Sequence, residues 1–198
     1  RDDQTEVGQA ERDALYYGRA IGLQRKGDYA TARELLQNLI EREYHLAYEL
    51  QLAELDIDAN RDNAAIDRLS GLYQSFPGNH AISVAYARAL LKDRDPAKAE
   101  TAAEVLREQL LRHADNPELH ELYARSANIA GNEVRAKEAI AESYYLKGRI
   151  HEAALQLQEL ARRDDLDYYQ RARITARINE LRLELAKMGK EETQKERR

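Results

Sequence analysis

Residues 131–160, GNEVRAKEAIAESYYLKGRIHEAALQLQEL, state one phrase twice. Gly131 is followed five residues later by Ala136, and Gly148 five residues later by Ala153, so the phrase returns after 17 residues. Outward from this stretch the same spacing recurs on a longer beat. Alanines within successive helical segments fall at Ala20, Ala53, Ala87, Ala124 and Ala141, separated by 33, 34, 37 and 17 residues. A second set falls at Ala32, Ala65, Ala102, Ala136 and Ala153, separated by 33, 37, 34 and 17. Between the paired alanines lie turn signals: KGDY at 26–29, ANRD at 59–62, KDRDP at 92–96, AGNE at 130–133 and KGRI at 147–150.

A period near 34 with a small residue in each of two helices is the tetratricopeptide (TPR) pattern. Two helices of about a dozen residues with short turns use about that many positions. A bulky side chain at the crossing point would hold the two backbones apart, so alanine occupies it. Gly27, Gly131 and Gly148 stand where a first helix stops and a left-handed residue closes it. Asn60, the next most tolerant residue type, fills that place in the second repeat. Pro77 and Pro117 follow the second helices, where proline can restart a helix but not continue one. The third repeat is three residues longer, and its surplus falls in the turn region KDRDPAKAET. Half of one period separates a helix from its neighbour, so the 17-residue step makes RAKEAIAESYYLK serve twice, closing one hairpin and opening the next. A coiled coil or plain bundle also supplies amphipathic Ala- and Leu-rich helices, but neither explains five alanine pairs with matching turns.

The predicted fold is therefore all-α: a TPR-type α-solenoid, a superhelix of antiparallel helical hairpins. Its expected parts are an N-terminal lead-in (1–12), about five overlapping repeats (13–166), a C-terminal capping helix (167–187) and a polar, frayed tail (188–198). Ile174, Ile178, Leu181 and Leu185 form one stripe that covers the last hairpin, as solenoids require. The acidic run DDLD at 164–167 reads as a negative cap for that helix rather than a calcium loop.

Composition agrees and excludes several classes. Charged residues make up 34% of the 198, with 9 Gly and 3 Pro, the usage of a helical chain. Net charge is −5, and Arg and Lys are interleaved with Glu and Asp, without the clustered basic face of a nucleic-acid binder. There is no cysteine, hence no disulfide or thiolate metal site. No apolar run has the length of a membrane span. The first residues lack the apolar core of a signal peptide and an initiating Met, which reads as a processed or truncated chain. His120–Glu121 and His151–Glu152 begin an HExxH-like pattern, but Ala124 and Leu155 stand where its second His is needed. No catalytic residues and no metal or cofactor site are expected in this chain.

The aromatic content is 12 Tyr, 1 Phe and no Trp, with pairs at Tyr16–Tyr17, Tyr144–Tyr145 and Tyr168–Tyr169. Adjacent helical positions differ by about 100°, so one member of each pair is expected in the core and the other in water. In TPR proteins, positions −6, −3, +1 and +4 from the crossing alanine of the first helices point into the concave groove. Applied here, that register selects Tyr17, Gln24, Glu54, Arg88, Arg125, Asn128, Glu142 and Tyr145. A mixed polar lining of this kind suits an extended chain or a partner helix.

Two stretches carry a closer resemblance: AGNEVRAKEAIAESYYLKGRIHEAALQL and the closing YYQRARITARINELR. With ALYYGRAIGLQRKGDYATARELLQNLI and LAYELQLAELDIDANRDNAAIDRL upstream, residues 14–186 resemble the C-terminal TPR region of bacterial periplasmic zinc metalloproteases of the BepA (YfgC) type. The resemblance implies a preceding protease domain that carries HExxH and its zinc, and a periplasmic location. It also implies a role in outer-membrane protein assembly and quality control, with the β-barrel assembly machinery and its clients, such as the lipopolysaccharide-transport barrel, as partners. Two rivals remain: a freestanding TPR adaptor of the cell envelope, and an enzyme in its own right.

Overall fold

The computed structural model describes the backbone of residues 2–196 and the side chains of residues 8–189. Within them ten helices follow one another: α1 (Asp2–Arg25), α2 (Tyr29–Arg42), α3 (Leu46–Asp58), α4 (Asp62–Ser75), α5 (His80–Leu90), α6 (Pro96–Leu110), α7 (Pro117–Ile129), α8 (Glu133–Leu146), α9 (Ile150–Ala161) and α10 (Tyr168–Glu196). The fold is an all-α solenoid of helical hairpins. The chain divides into two compact units between Lys92 and Asp93, inside the KDRDP turn. One unit holds α1 to α5 and the other α6 to α10.

All ten crossing alanines are buried, none more than 6% exposed. In the first unit Ala20 and Ala32 join Leu36, Leu39, Leu52 and Leu55 in one core. In the second, Ala141 and Ala153 join Leu157, Leu160 and the stripe Ile174, Ile178 and Leu181, with Leu185 packed against them. The apolar stripe of α10 thus packs on α9. Helix α8 packs on α7 and on α9, as a helix shared between two hairpins must.

The turns explain why the hairpins close alike. Gly131 (φ 85°) and Gly148 (φ 75°) end α7 and α8 in the left-handed region, where a Cβ is strained. Asn60 (φ 55°) does the same after α3. At each, the next residue's N–H reaches back across the last turn. Asn132 N donates to Ala127 O at 2.7 Å, Arg149 N to Tyr144 O at 2.8 Å, and Arg61 N to Asp56 O at 2.7 Å. This is the Schellman closure, which satisfies carbonyls the helix leaves bare. Side-chain caps open α6, α7 and α8: Asp95 accepts from Lys98 N, Asn116 from Leu119 N, and Asn132 from Arg135 N. Asp167, the last acid of DDLD, caps α10 by accepting from Gln170 N at 2.7 Å, while Gln170 Oε1 accepts from Asp167 N.

Three features differ from the sequence reading. Helix α1 begins at Asp2, so residues 2–12, set apart as a lead-in, are its first turns; their Glu, Gln and Ala are good helix formers. Gln9 already holds Asp13, which also pairs with Arg42 at 2.8 Å. Helix α10 continues to Glu196, through most of the segment expected to fray, and residues 1, 197 and 198 lie outside the described residues. Tyr168 and Tyr169 are both exposed, at 79% and 78%, rather than split between core and water. The stripe of α10 extends back through Gln170 and Asp167, so neither tyrosine falls on its buried side.

The first unit also contains a buried ionic node that periodicity does not show. Asp56 is 1% exposed, on the same face of α3 as Leu52. Its carboxylate pairs with Arg33 of α2 and lies 3.5 Å from Arg61 and 3.9 Å from Arg68 Nε. Arg68 of α4 also bonds Glu49 at 2.5 Å. One carboxylate therefore ties α2, α3 and α4 together.

Two predictions test this frame. Ala153→Leu should overpack the α8–α9 crossing and cost about 1–3 kcal/mol in urea unfolding; unchanged stability would contradict the register. Asp56→Asn should cost about 2–3 kcal/mol, because partly buried guanidiniums lose their shared anion. A neutral result would show that the node contributes no net stability.

Candidate functional site

Each unit carries a groove whose walls follow the TPR register. In the first unit a groove of about 310 Å³ lies between α3 and α5. Leu50, Glu54 and Ile57 of α3 face Ala81, Val84 and Arg88 of α5 across it. These are the −3, +1 and +4 positions of Ala53 and the −6, −3 and +1 positions of Ala87. Expected residues Glu54 and Arg88 thus line one trough, which is otherwise apolar except for His80.

Tyr17 and Gln24 have another occupation. Tyr17 Oη donates to Gln51 Oε1 at 3.4 Å, and its ring packs on Tyr48 at 5.3 Å. Gln24 donates to Asp58 at 2.7 Å and accepts from Gln51 at 2.8 Å. These bonds run from α1 to α3, one repeat apart. Burial first, then the charge of Glu54 and the nearby Tyr48, raises the Tyr17 hydroxyl above the usual tyrosine value, so it stays a donor.

In the second unit a groove of about 500 Å³ opens where α8 faces α10. Ala139, Leu157 and Ile174 form a buried apolar floor. Arg135, Glu138 and Glu142, the −6, −3 and +1 positions of Ala141, line one wall. Two ionic rungs cross it. Arg173 holds Glu138 through bonds of 2.7 and 3.0 Å, and Arg177 holds Glu142 through two bonds of 2.8 Å. Tyr145 lies beneath the Arg177 guanidinium, 4.5 Å from ring centre to Cζ. Burial works against the Arg177 charge, yet its hydrogen bonds to Glu142 and Glu180 hold its pKa above the ordinary arginine value. The bond to Glu138 raises Arg173 likewise.

Glu142 lines this groove, whereas Tyr145 buttresses a rung of it. Arg125 and Asn128 of α7 lie outside it. Arg125 is exposed on α7, and Asn128 borders a shallow depression with Arg163 and Asp165. Helices α7 and α8 are partners in one hairpin, so equal offsets on the two cannot face one trough. Instead α7 lends His120 and Tyr123, four and one residues before Ala124. The selection passed over Arg135 and Glu138, although the register places them at −6 and −3 from Ala141. For Arg173 and Arg177 the signal was the basic run at 171, 173 and 177, and for Arg107 there was none. Among the described residues no three His, Asp or Glu side chains are grouped so as to hold a metal ion. No described helix is long and apolar enough to cross a membrane.

No family model matches the chain. It is 31% identical over 173 residues to the beta-barrel assembly-enhancing protease of Escherichia coli K12, covering 87% of this chain and 35% of that protein. The protein of the same name from Yersinia pestis is 29% identical over the same shares. The resemblance seen in the sequence is borne out, and the chain spans about a third of the length of these relatives. Among solved structures, a thermophilic TPR protein of Thermus thermophilus superposes with a TM-score of 0.51 at 17% identity, over 83% of this chain and 97% of that one. MamA of Desulfovibrio magneticus RS-1 gives 0.60 at 14% identity, over 87% and 96%. These structures share the TPR-type helical fold of the chain.

Arg177→Ala removes a bidentate pair and a ring contact together. It should loosen α10 by about 1–3 kcal/mol, read as faster amide exchange along α10 relative to α2. Equal exchange in variant and parent would show the rung to be ornamental.

Proposed function

We propose that this chain is the partner-binding repeat region of a longer periplasmic zinc metalloprotease that acts in outer-membrane protein assembly and quality control. Its grooves hold client barrel proteins or the barrel assembly machinery, while hydrolysis belongs to the remainder of the parent protein, where a zinc would supply the activated water. The observation that carries this reading is the 31% identity, sustained over 87% of the chain, to proteases named for β-barrel assembly.

The groove chemistry supports it. A membrane-barrel strand alternates apolar and polar side chains. Laid extended along either groove, such a segment puts one row on the apolar floor and the other against the charged rim.

Two measurements test the proposal. The parent coding sequence is expected to contain an HExxH helix before Arg1; its absence returns the chain to a freestanding adaptor. A photoreactive amino acid at Val84 or Tyr123, irradiated in Gram-negative cells expressing the full protein, is expected to yield adducts with barrel precursors or assembly components. Adducts confined to other proteins would overturn the assembly role.

A further inference from the structure

We propose that the groove of the second unit selects extended segments in which acidic side chains alternate with apolar ones. The inference rests on the protein-binding reading above and adds a chemical preference to it. Four guanidiniums and two carboxylates line the groove: Arg107, Arg135, Arg173 and Arg177 against Glu138 and Glu142. The local balance is thus two positive charges in a chain whose net charge is −5.

The pairing decides which charges remain on offer. Both oxygens of Glu138 accept from Arg173, and both oxygens of Glu142 from Arg177. The charge of each carboxylate is already matched by a bidentate arginine, which weakens its pull on an incoming lysine or arginine. Arg135 reaches Glu138 only at 3.6 Å, a long contact to an anion already held by another cation. The Arg107 guanidinium, exposed on α6, makes no hydrogen bond or ion pair among the described residues. Two exposed guanidiniums therefore stand at the rim with their forks unfilled, and a carboxylate is the group that fills such a fork with two parallel bonds.

The floor supplies the second half of the preference. Ala139, Leu157 and Ile174 are buried beneath the rim, and Leu110 and the Tyr123 ring are half-buried beside them. An extended segment presents alternate residues to opposite sides, so apolar side chains can meet this floor while their neighbours meet Arg107 and Arg135. Glu100 and Glu104 line the adjoining depression, which shares Arg107 and Tyr123 with the groove. They place negative charge beside the groove rather than in it, so a longer segment is acidic over the groove and neutral or basic beyond Arg107.

Fluorescence anisotropy of the purified chain with a fluorescein-labelled nonapeptide of alternating glutamate and leucine tests the idea. That peptide is expected to bind, and more weakly as salt rises, since the contacts lie at the surface. Its lysine-for-glutamate counterpart should bind at least about tenfold more weakly, and so should its serine-for-leucine counterpart. The double variant R107Q/R135Q should bind the acidic peptide about three- to tenfold more weakly with unchanged circular dichroism. Equal binding of the lysine peptide, or unchanged affinity in the double variant, overturns the acidic preference. If partner adducts at Tyr123 persist in cells while that preference fails, only this inference falls. If adducts at Tyr123 and peptide binding are both absent, the protein-binding reading of this groove falls with it.

Discussion

Close approach between helices is the constraint on which the molecule depends. A helix pair can bury its facing stripe only if the backbones come near enough for leucines on either side to interlock, and a methyl group at the crossing allows that. Ala20, Ala32, Ala53 and Ala65 are almost fully buried in the first unit, as are Ala102, Ala124, Ala141 and Ala153 in the second. The larger side chains around them, such as Leu36, Leu52, Leu157 and Leu160, then fill the space that the alanines leave. A solenoid has no single centre to stabilise it, so each crossing must be good on its own account. The left-handed turns at Gly27, Asn60, Gly131 and Gly148 serve the same end, because they set the angle at which each new helix leaves.

Above this apolar layer runs a polar one with the same period. Tyr17 meets Gln51, Gln24 meets Asp58, Glu138 meets Arg173 and Glu142 meets Arg177, each pair separated by 34 or 35 residues. Positions that face a groove also face the equivalent helix of the next repeat. A side chain there can be spent on the neighbour or offered to a partner, but a fully engaged carboxylate does not do both. This is why Gln24, Tyr17 and Tyr145 act chiefly as ties between helices, whereas Glu54 and Arg88 remain on the wall of a trough.

The same distinction separates what the sequence discloses from what it hides. Alanine at the crossings, Asn60 in a glycine's place, Asp167 as a cap and the stripe from Ile174 to Leu185 all follow from local geometry, which one chain segment expresses by itself. Which charge meets which across a repeat depends on rotamers and on partners 35 residues away, and no period announces it. The register's residues on α3 and α5 line one trough, whereas Arg125 and Asn128 on α7 lie outside the groove that His120 and Tyr123 line. The division at Lys92 was visible only as a three-residue surplus. Asp56 did leave a mark: a carboxylate one turn after Leu52 on a buried stripe has to be paired. Its three arginines come from α2, α4 and a turn, so the partners could not be read with it.

The titration shifts that ion pairing and burial produce share one tendency. Every resolved shift among the described residues moves a group's titration further from neutral pH. Tyr17, Tyr44 and Tyr48 are raised, Asp93, Glu121, Glu133, Glu152 and Asp165 are lowered, and Arg163, Arg173 and Arg177 are raised. A general acid or base works best when its pKa is drawn toward the operating pH. Ion pairing and burial here do the reverse and fix each protonation state across the physiological range. A wall of ion-paired charges over an apolar floor presents the same pattern to each arriving chain. Discrimination then comes from which charges the rungs have already matched: Glu138 and Glu142 are each held by a bidentate arginine, while Arg107 and Arg135 are exposed, Arg135 with one long contact to Glu138.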